Sequence, residues 1–129
     1  MMLFRGAVAL AAVVHVLFFW LEAVRWRQPK VHRGVFRVET QELADRLAPF
    51  MLNQGVYNLM LAAGAGLGAA LATSAAWGGA AVAIGGFSAA CMVGAALTLL
   101  FSAPGMIRGV ILQGGPPTAA LVGLWLAMG

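Results

Sequence analysis

The sequence predicts an all-α membrane protein, a four transmembrane-helix bundle with short loops. Three observations predict it. Only 9% of residues are charged while 62% are hydrophobic, against about a quarter charged in ordinary soluble domains. The mean hydropathy is +0.91. The apolar residues also fall into four runs, 2–25, 42–71, 80–101 and 106–128, each near the roughly 20 residues that cross a bilayer core. With 129 residues, little chain remains for a soluble catalytic domain, and a single membrane domain is expected.

The first run carries Arg5 near its start, with His15 and Glu22 inside. A secretory signal has a shorter apolar core, no carboxylate within it and a small-residue cleavage site. Here the run passes straight into Arg25-Trp26-Arg27, so it reads as a retained helix. Residues 25–46 are polar, with Pro29 and Gly34 as turn signals, and residues 35–38 are too short for more than an extended or interfacial piece. Thr40 followed by Glu42 reads as a capped helix start, and Pro49 is tolerated in the first turn of the membrane part.

The second span changes character halfway, from Asn53, Gln54, Tyr57 and Asn58 to Gly64, Gly66 and Gly68 among alanines. Small residues four apart allow helices to approach closely. Residues 72–79 form a turn with Trp77 at the interface. The third span offers Gly86, Ala90 and Gly94 as a second small-residue seam, and residues 102–105 break the chain. The fourth span holds Arg108 at its start, Gln113 two turns in, and Pro116 and Pro117. These prolines cannot donate to the carbonyls of Leu112 and Gln113, so a kink or opened helix is expected there.

Six of the eight Lys and Arg residues lie between the first two spans, and Arg108 flanks the third connection. The positive-inside rule then puts the first and third connections in the cytoplasm and both the N-terminus and the C-terminus on the outer side of the inner (plasma) membrane. The net charge of +4 reflects that topology, and nucleic acid is not an expected partner. The one cysteine, Cys91, lies in an apolar run, so no internal disulfide can form.

Counting about 1.5 Å per residue from each cytoplasmic helix end, Glu22, His15, Asn53, Tyr57, Asn58 and Gln113 fall at overlapping depths. Seven residues at about 100° each place Glu22 and His15 on one stripe, which Trp26 continues. Carboxamides and carboxylates in hydrocarbon cost several kcal/mol each unless satisfied. One polar chamber in the cytoplasmic half would meet that cost, with His15, Glu22, Trp26, Asn53, Gln54, Tyr57, Asn58 and Gln113 as its candidate residues.

His15 and Glu22 lie about 10 Å apart along one helix, too far to share a metal ion, and no second His or Cys has ligand spacing. Neither a metal nor a cofactor is expected. There is no nucleophile with a flanking base and no carboxylate pair within the spans. Each residue also has a plain role: His15 as a core histidine bonded one turn away, Glu22 snorkelling to Arg25 or Arg27, and the carboxamides joining helices.

The order His15, Glu22, Trp26, Phe36, then Asn53-Gln54-Gly55-Val56-Tyr57-Asn58, Leu61-Ala62-Ala63-Gly64 and Gln113-Gly114-Gly115-Pro116 resembles the DUF1304 family of small bacterial membrane proteins. The resemblance covers nearly the whole chain. It implies a four-helix membrane protein and supplies no activity. The chain departs from the family pattern at Gly114-Gly115-Pro116-Pro117, where one Gly and one Pro are usual, and at Val93-Gly94-Ala95, where an aromatic often precedes the glycine.

The first expectation is therefore a protein that binds or transports a small solute or ion. Glu22 would exchange protons, His15 would partner it, and Asn53, Tyr57, Asn58 and Gln113 would orient the solute. A homo-oligomer would join through the Gly/Ala seams of the second and third spans. An intramembrane enzyme using His15 and Glu22 as acid and base on a lipophilic substrate, or a structural subunit, remain the alternatives.

Overall fold

The structure, a computed structural model, describes residues 1–129. It is all helical: α1 (Met2–Phe19), a π-helical turn (Trp20–Val24), the short α2 (Pro29–His32), α3 (Gln41–Leu71), α4 (Gly78–Ser102), a 3₁₀ turn (Pro104–Met106) and α5 (Ile107–Met128). Three stretches are long and apolar enough to cross a membrane: Met2–Val24, Gly78–Ser102 and Pro104–Met128. The helix α3, 31 residues long, is not among them, because it carries Glu42, Asp45 and Arg46 near its start and the carboxamides Asn53, Gln54 and Asn58 further along.

The chain divides into two compact units, Met1–His15 with Leu61–Gly129, and Val16–Met60. The first is built on an apolar core of Phe4, Val8, Ala11, Ala65, Ala89, Met92 and Ala120. Small residues let its backbones meet: a Cβ on Gly68 would lie 2.7 Å from the Gly85 Cα, closer than two carbon atoms can approach. Removing side chains at this crossing substitutes dispersion contacts between backbones for the hydrophobic drive that lipid does not provide. The Gly64–Gly68 seam is thus taken up inside the chain. Arg5 Nε donates to the Ala69 carbonyl at 2.9 Å, filling an acceptor that the last turn of α3 leaves open.

The structure refines four expectations. The first span is not one α-helix to residue 25, since its last turn is π. The polar connection contains a helical turn, started by Pro29 in the position where its missing N–H costs nothing. On α4 the face buried within the chain is Ala81, Gly85, Ser88, Ala89, Met92 and Ala96, while Ala90 and Gly94 of the expected seam are exposed on the single chain. Finally, α5 stays helical through Pro116 and Pro117, so the helix does not open there.

The second unit is a helix end, a basic connection and the first half of α3. Thr40 caps α3 by accepting the Leu43 N–H at 3.2 Å, as Ser and Thr do before a first turn. Trp26, Val31 and His32 are buried beneath the connection, with Trp26 edge-on to Phe36 at a centroid distance of 5.3 Å. This aromatic cluster gives a short loop its own small core and orders the approach to α3.

Candidate functional site

The site begins with the π turn. Arg25 N–H donates to the Trp20 carbonyl at 2.9 Å, five residues back instead of four. A wider turn of this kind re-aims the side chains that follow it and recurs at functional positions. It also removes the basis for counting 100° per residue from His15 to Glu22.

Against this turn packs Gly55. A Cβ there would come within 3.0 Å of the Ala23 Cβ and 3.1 Å of its nitrogen, so any larger residue would push the two segments apart. One turn further along the same face, Asn58 reaches Glu22, and its Nδ2 donates to Oε2 at 2.7 Å. Glu22 is 7% exposed and Asn58 4%. The distance is at the short end for an N–H···O bond. Asn58 lies three residues after the buried Gly55 on the face of α3 that continues at helical spacing through Ala62 and Ala65.

The remaining carboxamides follow from the same spacing. Five residues at about 100° put Asn53 roughly 140° around the helix from Asn58. Asn53, Gln54 and Tyr57 are exposed on the isolated chain, and no other group of the chain hydrogen-bonds their side chains. His15 lies in the first unit, fully buried, with Nδ1 2.9 Å from the Ala11 carbonyl. Gln113 is half-buried on α5, also in the first unit.

Beside Glu22, the second unit contains a cavity of about 380 Å³, lined by Glu22, Trp26, Arg27, Asp45, Pro49 and Leu52 among others. Trp26 is fixed by an Nε1–H donated to the Ala44 carbonyl at 2.7 Å. The structure thus brings Glu22, Trp26 and Asn58 together and turns Asn53, Gln54 and Tyr57 outward. No three His, Cys, Asp or Glu side chains converge as a metal site.

Sequence reasoning passed over His32 and Asp45. His32 is fully buried. Its Nδ1 faces the Val38 carbonyl at 2.7 Å and its Nε2 faces Gln41 Oε1 at 3.2 Å. Gln41 Nε2 in turn donates to Asp45 Oδ1 at 3.3 Å and to the Arg27 carbonyl at 3.5 Å. Asp45 is therefore tied, through Gln41, to the buried histidine under the connection. The signal that could have found it was the apolar spacing of Trp26, Val31 and Phe36 around His32 in an otherwise basic loop.

A family model described as "Protein of unknown function (DUF1304)" matches residues 9–125. No curated protein and no solved structure matches the chain.

Proposed function

The chain belongs to the DUF1304 family, whose function is unknown, and from its geometry we propose that it binds or transports a small solute at Glu22, exchanging it for a proton. In this reading it is a multi-pass protein of the inner (plasma) membrane, with α3 as a fourth span and the basic connection in the cytoplasm. The observation that carries the reading is the buried Glu22 carboxylate. One oxygen is held by Asn58, while the residue lines an open cavity. A carboxylate kept for packing alone would have its other lone pairs filled from the protein, because unfilled ones in a buried group are costly.

A homo-oligomer forms part of the proposal. Asn53, Gln54 and Tyr57 lie exposed among Phe50, Val56 and Met60, a polar patch that hydrocarbon penalises. Asn and Gln both donate and accept, so such a patch can satisfy itself across a two-fold axis.

The test is a proteoliposome assay with a pH-sensitive dye trapped inside, challenged with cationic, anionic and neutral small solutes. The wild type should move protons with at least one class, and Glu22→Gln with none. Equal traces for the two proteins with every solute overturn the reading.

A further inference from the structure

The cavity beside Glu22 has a lining whose charges select a class of ligand. Resting on the reading of Glu22 as the solute-bearing group, we propose that the cavity binds a small organic ammonium ion. Its charged head lies against the Glu22 and Asp45 carboxylates and its hydrocarbon part against Ala48, Pro49 and Leu52.

Four features support the assignment. The first is acceptor surplus. An ionised carboxylate offers about four lone-pair sites and no donor, and Glu22 receives one hydrogen bond from the chain, from Asn58. Asp45, exposed at the mouth of the cavity, receives one from Gln41. What enters must bring donors or positive charge.

The second feature is charge balance. The lining contains two carboxylates, Glu22 and Asp45, and one base, Arg27. The chain's one salt bridge joins Arg46 to Glu42, so neither lining carboxylate is neutralised by an ion pair. Arg25, the other nearby base, stands 5.9 Å over the Trp20 ring. The lining is left with a deficit of one positive charge.

The third is the character of the walls. Ala23, Val24, Ala48, Pro49 and Leu52 make most of them apolar, which suits an ion carrying hydrocarbon. Calcium asks for six to eight oxygens and magnesium for a near-ideal octahedron, and two carboxylates do not supply either. Trp26 belongs to the same lining, and an aromatic ring attracts a poorly hydrated cation that reaches its face. The fourth is size, because about 380 Å³ falls within the range of small-ligand pockets.

The test uses the full chain in detergent, followed by thermal shift and tryptophan fluorescence. The probes are methylammonium, choline and benzyltrimethylammonium, with 3,3-dimethylbutan-1-ol as choline's uncharged counterpart and 3,3-dimethylbutanoate as the anion. At least one ammonium ion should bind about tenfold or more tightly than the alcohol, the loss expected when a charge-assisted contact is removed. Glu22→Gln should abolish that binding and Asp45→Asn should weaken it several-fold.

If the alcohol or the anion binds as well as any ammonium ion and Glu22→Gln still abolishes binding, the ammonium assignment falls and the solute site stands. If no ammonium ion binds, the assignment falls. If wild type and Glu22→Gln respond identically to every probe that binds, both the assignment and the solute site fall. Should Glu22→Gln not fold, Leu52→Trp, which fills the cavity from an exposed position, must abolish ammonium binding for the proposal to survive.

Discussion

Asn58 donates its carboxamide to the Glu22 carboxylate across 2.7 Å, joining residues 36 apart in sequence. The contact fixes how the end of the first span meets α3, and it leaves the rest of the carboxylate to the cavity. Asn58→Ala would strand an acceptor in a buried place, at a cost of about 1–3 kcal/mol. In a double-mutant cycle with Glu22→Gln, thermal unfolding in detergent should show a coupling of roughly 0.5–3 kcal/mol. Additive effects would mean that the two side chains do not sustain each other.

Gly55 makes that contact reachable. With a Cβ only 3.0 Å from Ala23, Gly55→Val forces α3 away from the π turn, an overpacking cost of about 1–3 kcal/mol. Gly66, where added atoms meet nothing within 4 Å, is the matched control. Its change to Ala should leave the melting temperature unchanged or slightly raised, since Ala is the better helix former.

His32 holds the basic connection together. Replacing it with Phe keeps an aromatic ring beside Trp26 and removes both ring nitrogens from the Val38 carbonyl and Gln41. The stranded carbonyl should loosen the loop, and trypsin should cleave at Arg33 and Arg37 several times faster than in the wild type. An unchanged digestion rate would show that the aromatic packing alone orders the connection.

Asn53 and Gln54 supply a prediction about assembly. Replacing both with Leu removes the outward carboxamides without touching Glu22 or Asn58. Native mass spectrometry should then show a shift from oligomer toward monomer, while solute binding measured on the monomer persists. An oligomer distribution equal to that of the wild type refutes an interface at this face.

Much of this architecture was legible because apolar runs and their breaks determine helices directly. The runs at 80–101 and 106–128 end within two residues of α4 and α5, since Gly78, Pro104 and the turn around them interrupt both pattern and backbone. Which face of each helix turns inward was harder to read. Where nearly every residue on α4 is small or apolar, period alone gives no contrast, and contact is decided by which glycine allows two backbones to touch, as Gly85 does with Gly68. The pairing of Glu22 with Asn58 was within reach, because few groups in hydrocarbon can satisfy a carboxylate. The outward turn of Asn53 and Tyr57 needed the buried face to be known first. Nothing in Trp20-Leu21-Glu22-Ala23-Val24 announces a π turn, since no residue there breaks the helical pattern.

That turn amounts to one amino acid more than an ordinary helical turn would use. Deleting a single residue from it would let the first span close as a regular helix to its end. The deletion would also draw Trp26 back along the axis, away from the Ala44 carbonyl that anchors it. Length at this point acts as a spacer, so homologues that gain or lose one residue here should show a matching change in the connection that follows.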